Sequence, residues 1–174
     1  MIVELPVDDL ERIAEIDRAE VATAVYRVDR GELVREDVHI DIPTWPADEL
    51  ERTKRLLRWK LADGGSLLGV EDDAGRLIAI AALSGRFVGG RSQQLELALL
   101  YVSNGHRRQG LARALMDECA RRARERGAEQ LYVSASDTDS AIGFYLAYGC
   151  RLADRADPEL FELEPNDIHL VCDL

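Results

Sequence analysis

The stretch Leu95–Ala112, LELALLYVSNGHRRQGLA, decides the fold. It opens as an apolar strand in which Glu96 is the only charge before Val102. A short turn rich in Gly and Arg follows, and then the spacing of a helix. A strand that enters a helix N-terminus through such a turn leaves several backbone N–H groups free at one point, where a phosphate can be held. The core of the turn is Arg107-Arg108-Gln109-Gly110-Leu111-Ala112. The Gly-x-Gly-x-x-Gly spacing of a dinucleotide fold is absent. Gly105 and Gly110 have the spacing of a nucleotide phosphate loop, but Leu111 and Ala112 stand where Lys and Ser or Thr would be required.

Outward from this turn, Leu111, Leu115, Cys119 and Ala123 repeat every four residues, which predicts a helix to about Arg126 with Gly127 as its stop. Leu131–Ala135 reads as the next strand. Strand, turn, helix and strand make a βαβ unit, so the strands at Gln93 and Leu131 should be parallel. Upstream strands are expected at Ser66–Glu71 and Arg76–Val88, joined by turns at Asp72–Gly75 and Gly89-Gly90. Near the N-terminus, Ile2–Leu5 reads as a strand and Asp8 or Asp9 as the cap of a short helix. Val25–Val28 and the alternating Val38, Ile40 and Ile42 read as a hairpin around Asp29-Arg30-Gly31. A helix is expected from Ala47 to Ala62, with Leu50, Leu57 and Leu61 on one face. Trp59 lies opposite, either as a surface aromatic covered by Arg52 and Arg55 or as a lid or homodimer contact. Ser140–Ala147 is a short helix, and strands close the chain near Cys150–Ala153 and Ile168–Cys172. The fold class is α/β: a mixed, largely antiparallel central sheet with helices on both faces, in one domain spanning residues 1–174.

Composition narrows the function. Of 174 residues, 33 are acidic and 22 basic, for a formal charge of -11. Nucleic acid is therefore an unfavourable partner. The basic residues Arg121, Arg122, Arg124 and Arg126 read as a solvated helix end. Cys119, Cys150 and Cys172 are widely spaced and suggest no metal site, and they read as reduced core residues of a cytosolic protein. No run has the length of a membrane span.

A second segment, Ala141-Ile142-Gly143-Phe144-Tyr145-Leu146-Ala147-Tyr148-Gly149-Cys150, follows the phosphate turn in a helix–turn–strand context. Together the two segments resemble the GNAT superfamily of N-acetyltransferases. The turn matches the family's (Arg/Gln)-x-x-Gly-x-(Gly/Ala) signature, with Ala112 in the last place. The later segment matches its Ala-Ile-x-Phe-Tyr-x-x-x-Gly-Phe pattern. The likeness covers residues 66 to 152 well and the two ends loosely.

The resemblance implies acetyl-CoA as co-substrate, no metal, and direct transfer of the acetyl group to a primary amine of a small molecule or peptide in a ternary complex. Arg107 to Ala112 would cradle the pyrophosphate. A bulge in the strand before the turn would present a backbone N–H from Leu99 to Tyr101 to the thioester carbonyl, and Leu100, Tyr101 and Val102 would line the pantetheine. The family's common Asn is replaced here by Thr138, and the contact that Asn makes to the cofactor would pass to Thr138, Asp139 or Ser140, or be lost. Glu96 takes the position of the frequent general base, often acting through water. Its burial is costly without a partner and would raise its pKa; a structural pairing with Arg86 or Arg91 is the alternative. Tyr145 takes the position of the acid that protonates the departing thiolate, with Tyr148 as the other aromatic nearby. A non-catalytic CoA-binding module of the same fold and an enzyme for a longer acyl-CoA are the rival readings. The segment Asp154–Asp167, DRADPELFELEPND, borders the acceptor side by resemblance or is a solvated acidic loop.

Overall fold

The computed structural model describes residues 1–88 and 93–174, so the expected Gly89-Gly90 turn lies outside the described residues. The strands are β1 (Ile2–Leu5), β2 (Glu20–Asp29), β3 (Glu32–Ile42), β4 (Ser66–Glu71), β5 (Leu77–Val88), β6 (Gln94–Val102), β7 (Gln130–Ala135), β8 (Arg151–Leu152) and β9 (Ile168–Asp173). The helices are α1 (Ala47–Leu61), α2 (Leu111–Glu125), α3 (Asp139–Tyr148) and α4 (Pro158–Leu163), with 3-10 helices at Val7–Glu15 and Asn104–His106.

A seven-stranded sheet runs in the order β1-β4-β5-β6-β7-β9-β8, while β2 and β3 form a separate hairpin. Within the large sheet β6 and β7 are parallel and every other recorded pair is antiparallel. The βαβ unit explains the exception, because α2 must carry the chain back before β7 starts.

Helices cover both faces. On one, Leu115, Cys119 and Ala123 of α2 and Ile142 of α3 pack on Leu68, Ala81, Leu95, Leu97 and Val133. On the other, Leu10 and Ile13 of the first 3-10 helix and Leu57 and Leu61 of α1 pack on Leu67, Ile80 and Ala82. Leu160 of α4 extends this second layer over Tyr132 and Val171. Helix α4 is absent from the sequence reading. The opening helix is 3-10 and starts from Pro6 without a side-chain cap, so neither Asp8 nor Asp9 has the capping place. Trp59 is half-exposed and lies under Arg86, 4.9 Å from the ring centre, rather than under Arg52 or Arg55.

The cysteines require a correction. Cys119 is a buried thiol, pushed up to about 12 by burial. Cys150 and Cys172, expected to be reduced, form a disulfide. The antiparallel pairing of Arg151 with Val171 puts the two cysteines opposite each other, with Cα atoms 4.2 Å apart. The arginines of α2 and its C-cap are paired: Arg121 with Glu118 and Glu125, Arg122 with Glu118 and with Glu4 of β1, and Arg126 with the carbonyls of Ser84 and Gly85 on β5. No helix among the described residues is long and apolar enough to cross a membrane.

Candidate active site

The parallel pairing of β6 with β7 lasts only from Gln94 to Glu96, opposite Gln130 to Tyr132. Beyond Glu96 the strands diverge, and a cavity of about 1870 Å³ opens between them. Leu97 to Val102 line one wall, and Ser134, Ala135 and Ser136 the other. On its β5 side, β6 pairs Leu99 with Ala82 and Leu97 with Leu83, so Ala98 is an extra residue. This is a β-bulge, one residue ahead of the span expected to supply the free N–H. It turns Ala98 and Leu99 toward the face of α1, whereas Leu95 and Leu97 face α2.

The turn at the cavity mouth forms as its glycine requires. Gly110 has φ +83° and stands at the N-cap of α2, and Arg108 is also left-handed at φ +61°. Glycine adopts this region without a side-chain clash. A Cβ built on Gly110 would meet nothing within 4 Å, so the space over the helix end is open. The first helical bond near the turn runs from the Ala114 N–H to the Gly110 carbonyl at 3.0 Å. The preceding N–H groups of α2 have no acceptor in the helix and point out of its end. Arg108, Gly110, Leu111, Ala112 and Arg113 border the cavity, and Gln109 does not.

Arg107 borders the cavity too, but its guanidinium is committed inward. It donates to the carbonyls of Val102 (3.2 Å) and Arg18 (3.0 Å) and to Glu20 (2.9 Å). Ser140 borders the cavity and donates to Glu20 at 2.7 Å. Thr138 is buried as the N-cap of α3, its hydroxyl accepting from the Ala141 N–H, and does not reach the cavity. Of the candidates on this loop, Asp139 and Ser140 therefore border the cavity, Asp139 while accepting from Thr23.

Tyr145 lines the cavity and is otherwise buried. Burial, aided by the neighbouring acidic groups Tyr101, Cys119 and Asp167, holds its hydroxyl well above the usual phenol range, so it keeps its proton at neutral pH. Tyr148 points away and donates to Asp117 at 2.7 Å.

Glu96 is 2 % exposed and does not border the cavity. Its carboxylate accepts from Lys60 of α1, itself 2 % exposed. Burial raises the Glu96 pKa, and Lys60 opposes the rise. The pairing partner is neither Arg86, which binds Asp63, nor Arg91, which lies outside the described residues. Lys60 carries a signal in the sequence: it falls three residues after Leu57, on the apolar face of α1.

Two carboxylates from the segment after β8 do reach the cavity, Glu164 and Asp167. Asp154 and Asp157 instead border a smaller pocket beside Tyr132. Asp157 caps α4 by accepting from the N–H groups of Glu159 and Leu160, and Pro158 takes the first turn. Burial first, then the charges of Glu164 and Asp137, raise Asp167 to about 7 against the opposing pull of Lys60 and Arg52. Among the described residues no group of three or more His, Cys, Asp or Glu is placed to hold a metal ion.

The model of the acetyltransferase (GNAT) family matches residues 32–149. No curated protein sequence matches the chain. Among solved structures, nourseothricin acetyltransferase shares the fold with TM-score 0.71 and 23% identity, over 98% of this chain and 95% of that one. The PaiA N-acetyltransferase of Thermoplasma acidophilum, solved with coenzyme A, gives 0.62 and 14% over 100% and 98%. A GNAT family acetyltransferase of Elizabethkingia anophelis with acetyl-CoA bound gives 0.54 and 18% over 70% and 83%.

Proposed function

The chain belongs to the GNAT acetyltransferase family, and from that premise we propose that it transfers the acetyl group of acetyl-CoA to a primary amine of a small molecule or peptide, by direct attack within a ternary complex. The observation that carries this reading is the split between β6 and β7 beside an open, glycine-capped helix end. The residues present fit the co-substrate. The free N–H groups of Gly110 to Ala112 and the positive end of the α2 dipole suit a pyrophosphate. Arg108 and Arg113 add charge at the same mouth. The edge of β6 from Leu97 to Val102, not paired with β7, offers main-chain partners to an amide-bearing arm laid along it, except at the Val102 carbonyl, which accepts from Arg107.

The bound co-substrate supplies a thioester carbonyl open to attack. The bulge at Ala98 leaves a main-chain N–H available to polarise that carbonyl. Tyr145, in the cavity wall, holds a proton on its hydroxyl and delivers it to the sulfur as the C–S bond breaks. Glu96 supports the site from behind, joining β6 to α1 through Lys60. No cysteine takes part as an acyl carrier: Cys119 is sealed in the core with its thiol protonated, and the other two are bonded to each other.

Release of free CoA thiol from acetyl-CoA, measured with a broad amine panel, tests the reaction; no release with any amine overturns it. Binding has its own test. Gly110→Glu puts a side chain into the open space, forces it into a left-handed conformation and sets a negative charge against the pyrophosphate. Calorimetry should show acetyl-CoA affinity falling by about a hundredfold. Gln109→Ala, outside the cavity, should bind as the parent does. Equal affinity of the parent and Gly110→Glu would remove the turn from the site.

A further inference from the structure

We propose that Asp167 is the base that takes the proton from the acceptor amine. The inference rests on the acetyl-transfer reading above and names a residue that neither sequence motif contains.

The argument begins with place. Ala135 at the end of β7 pairs with Ile168 at the start of β9, so Asp167 sits just beyond the end of β7 and lines the cavity that opens between β6 and β7. Its charge acts on the hydroxyls of both Tyr101 at the end of β6 and Tyr145 on α3. Both Asp167 and Tyr145, the residue expected to protonate the leaving group, line the same cavity. Glu96, the other candidate, lies behind the wall in its pair with Lys60. Among the described residues the Asp167 carboxylate has no ion-pair or hydrogen-bond partner, so its lone pairs are open to an incoming N–H.

The groups facing Asp167 set its basicity. Glu164 precedes it on the same loop, with the Asp167 N–H donating to the Glu164 carbonyl at 3.2 Å. Asp137 lies before α3, Lys60 and Arg52 come from α1, and Tyr101 and Tyr145 from β6 and α3. Burial and the two neighbouring carboxylates outweigh the two cations, which leaves Asp167 at about 7, the range that suits a base working near neutrality.

The step balances. The acceptor enters as R–NH3+ and gives one proton to the Asp167 carboxylate. The neutral nitrogen forms the C–N bond to the acetyl carbon, the C–S bond breaks, and the sulfur takes the Tyr145 proton. The nitrogen's second proton passes through solvent to restore Tyr145, and Asp167 returns its proton to solvent. The products are the acetamide, CoA thiol and one released proton.

The test is the pH profile of kcat/KM in the parent, Asp167→Asn, Asp167→Glu and Glu96→Gln, using an acceptor found by the amine panel. The parent should lose rate below about pH 7 as Asp167 protonates. Asp167→Asn should lose that limb and fall about a hundredfold or more at pH 7, while binding acetyl-CoA as tightly as the parent. Asp167→Glu should restore the limb, and Glu96→Gln should keep it. Stability serves as the folding control. The folded-state pKa of Asp167 lies above the ordinary carboxylate value, so between about pH 4 and 7 the folded protein binds more protons than the unfolded chain. That contribution to stability is lost as pH rises through 7, so Asp167→Asn should be no less stable than the parent at pH 8. An unchanged profile in Asp167→Asn, or loss of the limb in Glu96→Gln alone, overturns the assignment and leaves acetyl transfer standing. A parent protein that releases no thiol with any amine overturns both.

Discussion

Replacing Tyr145 by Phe should lower kcat about a hundredfold while leaving acetyl-CoA affinity within a factor of two or so. The change removes one oxygen from a side chain that the core of α2 and α3 already holds in place. Phe144 packs edge-on against Tyr145 with ring centres 5.2 Å apart, so a phenyl ring keeps the same seat. Only the proton destined for the thiolate is lost. Single-turnover thiol release with calorimetry on the same preparation separates the two quantities. A Tyr148→Phe variant is the matched comparison, because its hydroxyl is tied to Asp117 outside the cavity. Equal turnover in parent and Tyr145→Phe would leave Tyr145 a packing residue.

Replacing Lys60 by Met should cost about 3–5 kcal/mol of folding stability at pH 8, because Glu96 is then buried without its counter-charge. In a protein of this size that is roughly a 10 °C fall in Tm. The loss should shrink with falling pH. Without Lys60 the Glu96 pKa rises further above its unfolded value, so the folded state holds an extra proton from about pH 4 upward, and stability drops as pH climbs through that window. The double variant Lys60→Met/Glu96→Leu should recover much of the loss, since a matched apolar pair leaves no buried charge. Thermal melts at pH 5 and pH 8 decide it. A penalty equal at both values would mean that the two groups are not ionised against each other.

The strand–turn–helix was legible in Leu95–Ala112 because its signals are local: an apolar run, a glycine needed at positive φ and a four-residue repeat. Tyr145 was legible through the second segment, and the cavity receives it. Glu96 was legible as an expensive charge in need of a partner, but the sequence pointed to Arg86 or Arg91, whereas the partner is Lys60, 36 residues away on α1. Yet α1 places Lys54 and Lys60 among Leu50, Leu57 and Leu61, and both lysines are buried against carboxylates. A lysine on an apolar helix face asks for an acid across the core. Helix α4 escaped notice although Asp157-Pro158 is a plain start signal, because a wealth of acids in the segment reads as solvated loop. Asp167 differs from its acidic neighbours only by where β9 begins, and that depends on pairing with β7. The disulfide was hidden for the same reason, its two cysteines standing opposite each other only once β8 meets β9.

The divergence of β6 from β7 has a thermodynamic side. A continuous sheet satisfies its main chain with itself. This one ends its pairing at Glu96 and leaves two facing edges in the middle of the molecule. The unliganded protein is in that sense an interrupted fold, and whatever binds along the gap completes it. The melting temperature should therefore depend on ligand concentration, with about 2.7 kcal/mol gained at a hundredfold excess over Kd. Amide exchange should slow selectively along Leu97–Val102 and Val133–Ala135, while β1 and β4 at the sheet's far end exchange as before.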